Sequence, residues 1–91
     1  MIRLNCFLQV KVEDKPKVVE SAKRLVEASL KQEGCIAYDF FESTTRPDVM
    51  MFCETWKDQA ALDSHAESDV FIREEGVLST YGKMKIEKFI F

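Results

Sequence analysis

His65 is the only histidine in the chain, and the only side chain whose ordinary pKa lies near neutrality. It shares a predicted helix face with Leu62 and Ala66. That placement aims it at the body of the fold, where it could act as a base or donate a hydrogen bond to a substrate oxygen. The plainer role for such a residue is a partly buried imidazole bonded to a backbone carbonyl. Glu54 is the odd residue of an otherwise apolar stretch, Val49 to Trp56. A carboxylate among apolar neighbours can be a base with a raised pKa, but a salt bridge to Arg3, Lys83 or Lys85 is the expected arrangement. Trp56 falls on the same strand face as Glu54 and Phe52 and could wall a pocket by stacking on an aromatic ring. Tyr38 could hydrogen-bond a substrate oxygen, or sit in the core with its hydroxyl at the edge. Phe71 and Phe52 read as pocket lining, and Asn5 is a polar residue in the middle of a predicted strand.

The elements that must position these residues follow from hydrophobic periodicity. Ile2 to Lys11 alternates, with Ile2, Leu4, Cys6, Leu8 and Val10 on one face and Arg3, Asn5, Gln9 and Lys11 on the other, as a half-buried strand does. Asp14 is placed to cap a helix in which Val18, Ala22, Leu25, Val26 and Leu30 recur at helical spacing, ending near Gln32 with Gly34 as a left-handed residue. Cys35 to Ser43 and Val49 to Trp56 read as two strands joined by the turn Thr44 to Asp48. Asp58 caps a short helix, Gln59 to Glu67, and Ser68 caps a second one, weakened by Gly76 and ended by Gly82. Lys83 to Phe91 forms the last strand. The order β-α-β-β-α-β over residues 1–91 predicts one ferredoxin-like α+β domain, a four-stranded antiparallel sheet with helices on one face.

Three of the four strands are apolar on both faces. The second sets Ile36, Tyr38 and Phe40 against Cys35, Ala37 and Phe41; the third sets Met50, Phe52 and Trp56 against Val49, Met51 and Cys53; the fourth sets Met84, Ile86 and Ile90 against Phe89 and Phe91. The helices suffice for one face only, so a homodimer with two sheets face to face is expected. Composition narrows the function classes. A net charge of −3 without a basic block offers no footprint for nucleic acid or an anionic membrane. The longest stretches free of charge, Leu4 to Val10 and Gly76 to Gly82, are far too short to span a bilayer. Cys6, Cys35 and Cys53 lie far apart with no C-x-x-C, which points to a reducing cytoplasm rather than a disulfide framework or a zinc site. No glycine-rich phosphate cradle or dinucleotide fingerprint is present among only three glycines.

Four short stretches carry a resemblance: Glu33-Gly34-Cys35-Ile36-Ala37-Tyr38-Asp39, Phe52-Cys53-Glu54-Thr55-Trp56, Ala61-Leu62-Asp63-Ser64-His65 and Ser68-Asp69-Val70-Phe71. In that order and spacing the chain resembles the antibiotic biosynthesis monooxygenase superfamily. The resemblance implies a dimeric α+β barrel and an oxygenase without flavin or metal, acting with O2 on a small electron-rich aromatic of the quinol or hydroquinone type. It implies His65 as base or anion stabiliser, Tyr38 and Asn5 as polar contacts, and Trp56, Phe52, Phe71 and Glu54 around the substrate. Anthrone-oxidising relatives carry an asparagine where this chain has Phe52, and haem-degrading relatives place a haem-ligating histidine where it has Ile72-Arg73-Glu74-Glu75. Haem is therefore not expected as a cofactor. The competing readings are a non-enzymatic small-molecule binding dimer and an isomerase or degradation activity like that of relatives that process autoinducer-2.

Overall fold

The computed structural model describes all 91 residues, Met1 to Phe91. Strand β1 (Ile2–Val10) leads through a 3-10 turn (Val12–Asp14) into helix α1 (Lys15–Ser29). Strands β2 (Cys35–Glu42) and β3 (Val49–Trp56) form a hairpin, and helices α2 (Gln59–Ala66) and α3 (Asp69–Tyr81) precede strand β4 (Gly82–Ile90). All neighbouring strands are antiparallel, in the order β2-β3-β1-β4. The ferredoxin-like order is thus the expected one, with the second helical segment in two pieces. The barrel implied by the resemblance is not found: the sheet is open, and β2 and β4 are its edges.

Local chemistry accounts for the boundaries. Asp58 accepts the Ala61 N–H at 2.9 Å and Ser68 accepts the Phe71 N–H at 3.3 Å, so both predicted caps form. Asp14 instead closes the 3-10 turn and makes no side-chain cap. Helix α3 runs through Gly76 unbroken. Gly34 has φ +80°, and a Cβ there would strike that of Ala61. Only glycine meets both conditions, and the Gly34 carbonyl accepts the Lys57 N–H at 2.8 Å, so the start of β2 lies directly against the beginning of α2.

The helix-facing side of β1 and β3 supplies Cys6, Leu8, Val10, Met50, Phe52 and Trp56 to the core, against Val18, Ala22 and Leu25 of α1 and Leu78 of α3. Each of the larger aliphatic and aromatic side chains among them contributes about 1.5–3 kcal/mol by leaving water. One face assignment differs from expectation. A β-bulge between Cys35 and Ala37 turns Cys35 toward the core and leaves Ile36 exposed. On the uncovered side, Phe41, Met51 and Phe7 stand in register as one apolar row across β2, β3 and β1. The neighbouring row, Asp39, Cys53, Asn5 and Glu87, is largely polar, so this face is a narrower apolar stripe than the sequence suggested.

Helix α3 is held to α1 by a buried carboxylate. Glu74, 1% exposed, accepts from Arg24 at 3.1 Å, from Arg73 at 3.0 Å and from the Ser21 hydroxyl at 2.9 Å. The Arg24 guanidinium foremost holds this carboxyl down to about 2. Both arginines are more than half exposed and can turn to water if the carboxylate is removed, which limits the penalty. Glu74→Ala is therefore expected to lower stability by about 1–3 kcal/mol, short of the loss of a fully buried pair. Urea unfolding measures it, and a change below a few tenths of a kcal/mol would refute the clamp.

Candidate functional site

Where α2 and α3 lean over the sheet beside β4, the chain encloses a cavity of about 300 Å³. Leu4 and Cys6 come from β1, Phe52 and Glu54 from β3, Tyr38 from β2, Leu62 and His65 from α2, and Phe71 and Leu78 from α3. Met84 and Ile86 of β4 form its mouth; Ile86 is 57% exposed because no helix lies above it. Two wider depressions, about 620 and 470 Å³, are open clefts lined mostly by polar and charged residues, and they hold none of the candidate side chains.

Inside, His65 is wedged between two rings, 4.5 Å from Trp56 and 4.9 Å from Phe71, centroid to centroid. Its Nδ1 lies 2.7 Å from the Gln32 amide oxygen, so Nδ1 carries the hydrogen, and Nε2 faces the Tyr38 hydroxyl at 3.4 Å as an acceptor. Tyr38 packs edge-on to Phe52 and Trp56 as well. Burial pushes the Tyr38 phenol far up, so it stays a donor. Burial also lowers the His65 pKa from 6.5 to about 4, which keeps the imidazole neutral. Glu54 moves the other way. It is 3% exposed, its pKa is raised by burial, and the bond it accepts from Trp56 Nε1 at 2.9 Å, together with the nearby Tyr38 hydroxyl, only partly opposes that.

Five of the seven candidates meet at the cavity: Tyr38, Phe52, Glu54, His65 and Phe71. Trp56 does not reach it; fully buried, it backs His65 and binds Glu54. Asn5 is on the opposite side of the sheet, in register with Cys53 and Glu87, so it cannot touch anything bound in this cavity. The expected salt bridge of Glu54 is absent. Arg3 bonds the Thr55 hydroxyl at 3.2 Å, and Lys83 and Lys85 pair with Gln9 and Phe7 on the uncovered face. Gln32 was not anticipated: it is 33 positions from His65, and nothing in its own surroundings marks it.

The chain matches, over residues 1–73, the family model described as antibiotic biosynthesis monooxygenase. A crystal structure from Bacteroides thetaiotaomicron, described as a conserved protein of unknown function and possible oxidoreductase, is 48% identical with a TM-score of 0.97. The match covers 99% of this chain and 96% of that one. The Bacillus subtilis protein named "Putative monooxygenase YcnE" is 35% identical over 71 residues, 78% of this chain and 75% of that protein. The uncharacterized protein sll1783 of Synechocystis is 33% identical over 64 residues, 70% of this chain; the match spans only 44% of that longer relative.

The histidine's burial sets a pH dependence. In the unfolded chain His65 takes up a proton near 6.5, while in the folded chain it resists until about 4. Stability from this group is therefore complete above pH 6.5 and is lost as the pH falls toward 4, by up to about 3 kcal/mol. Glu54, with its raised pKa, opposes this, because its contribution is present at low pH and lost as the pH rises. The difference between wild type and His65→Gln isolates the histidine. Thermal melts from pH 7 to 4 should fall more steeply in wild type, and parallel slopes would contradict the assignment.

Proposed function

The chain belongs to the antibiotic biosynthesis monooxygenase family, and on that premise we propose that it is a cofactor-independent monooxygenase. It oxidises a small electron-rich aromatic of the quinol or hydroquinone type with O2, in the cavity between helices and sheet. The observation that carries this reading is a mostly apolar cavity into which Tyr38, His65 and Glu54 all face. Apolar walls exclude water and seat an aromatic ring, while the polar trio meets its hydroxyl group.

Glu54 is the base in this mechanism. It faces the cavity without a cation, and its burial increases its affinity for a proton. His65 is too weak a base for that task and acts as a neutral acceptor that orients Tyr38. The Tyr38 hydroxyl then turns toward the substrate oxygen as negative charge develops there. The aryloxide passes an electron to O2, and the two radicals combine at ring carbon. For a hydroquinone, one C–H becomes C–O and the quinol becomes a quinone; O2 leaves one atom in the product and one in water. The substrate supplies all four electrons. Asn5 has no part in this cycle.

The 91 residues act as one domain, and two copies associate through the uncovered sheet face, where the row Phe41, Met51 and Phe7 leaves Phe41 half exposed. The three unpaired cysteines suit a reducing cytoplasm.

Two measurements test these statements. An oxygen electrode over a panel of hydroquinones, with chelator present, should register uptake above autoxidation, and Glu54→Gln and Tyr38→Phe should each lower the rate by about tenfold or more. Saturable binding without uptake would favour the binding-module reading, and turnover under argon would favour the carbonyl chemistry. Sedimentation at micromolar concentration should give twice the chain mass. In Phe7→Lys a monomer is expected, and a stable wild-type monomer would end the dimer proposal.

A further inference from the structure

The ionisable lining of the cavity has one sign. Glu54 stands on the sheet floor, with Asp63 of α2 and Glu75 of α3 nearer the mouth, and no lysine or arginine lines it. The two arginines nearby are committed elsewhere. Arg24 and Arg73 hold Glu74; Lys88 is the one cation at the rim, where it donates to the amide oxygen of the lining residue Gln59 at 2.7 Å, and Gln59 in turn donates to Asp63 at 2.7 Å. Glu54 is the decisive member. It is buried, it has no ion-pair partner, and it accepts from Trp56 at 2.9 Å with the Tyr38 hydroxyl also close by. Beside it the cavity offers an indole-backed imidazole without charge and a phenolic hydroxyl, neither of which is a counter-ion for an acid.

We propose that the cavity selects hydroxyaromatics that are uncharged or carry a cationic substituent, with Glu54 accepting the hydrogen of the ring hydroxyl, and that it rejects those bearing a carboxylate, sulfonate or phosphate. The discrimination is electrostatic. An anion entering this space loses its hydration and meets like charge at short range, in surroundings where such repulsion is much stronger than in water. A hydroxyl donor gains a carboxylate that no cation neutralises. An ammonium substituent gains Asp63 and Glu75 at the mouth. The inference deepens the oxygenase reading and rests on the same cavity being the substrate site.

Three probes of nearly one shape separate the charge classes: gentisyl alcohol, gentisate and the corresponding dihydroxybenzylamine. Binding is followed anaerobically by NMR shifts of the Phe71 and Ile86 signals. At neutral pH the alcohol and the amine should bind at least about tenfold more tightly than gentisate. Glu75→Gln, on the surface of α3, should narrow the alcohol-to-gentisate ratio several-fold, and Glu54→Gln should narrow it further while weakening the alcohol itself. Equal affinity for alcohol and gentisate in wild type overturns the proposal, and so does a ratio that neither variant changes. Absence of saturable binding by any of the three overturns it too. The oxygen electrode reads the parent hypothesis independently. Selective binding without oxygen uptake would retire the oxygenase and leave the charge selection standing. Equal uptake with gentisate and its alcohol would do the reverse.

Discussion

The hold of Glu74 on α1 decides where the rest of the molecule has space. Helix α3 is drawn onto α1 by Ser21 and Arg24, not laid flat over the sheet. The side of α3 that carries Phe71, Glu75 and Leu78 then roofs a gap instead of packing on β4. Met84 and Ile86, which alternate onto the helix side of β4, are left at the edge of that gap. A buried carboxylate is a poor source of net stability, because removing it from water takes back most of what its partners return. Its effect here is positional: a hydrophobic residue at 74 could let α3 settle toward β4 and close the cavity.

Within the gap, two buried ionisable groups are pushed in opposite directions by the same burial. The imidazole becomes harder to protonate and the carboxylate easier. On the proposed reading, divergence of this kind separates Glu54 as acceptor of protons from His65 as a group that only orients. The state of both groups also depends on atoms outside the cavity. Gln32 sets which nitrogen of His65 bears hydrogen, and Trp56 holds Glu54 through Nε1 while its ring supports the imidazole. Trp56 thus serves both polar groups without touching anything bound.

Much of this was legible in the sequence, and the failures have identifiable causes. Alternation placed β1 and β3 correctly, and Asp58 and Ser68 capped where their chemistry predicts, because these signals are local. Alternation also put Asn5 on the face away from Leu4 and Cys6; only the family resemblance argued for it in the site, and the register sides with the alternation. The ion pair expected for Glu54 failed because charge complementarity says nothing about which face of a sheet a lysine occupies. The bulge at Cys35 and Ala37 has no sequence signature of its own, since β-branched and aromatic residues continue through it. Gln32 reaches His65 only because Gly34 lets the chain turn against Ala61, a contact that exists only once α2 is in place.

Counting apolar residues on both faces treated all exposed ones as awaiting the same partner. The structure divides them by shape. Phe41, Met51 and Phe7 form a row across three paired strands, bordered at Phe7 only by an open cleft, and on the reading proposed above that row suits another protein surface. Met84 and Ile86 curve into a space bounded by Glu54, Tyr38 and His65, where a second sheet could not follow but a single aromatic ring could. On that reading the apolar surplus includes, besides the exposed C-terminal Phe89, Ile90 and Phe91, two features with different occupants, one macromolecular and one small. What separates them is the failure of the helices to cover the fourth strand.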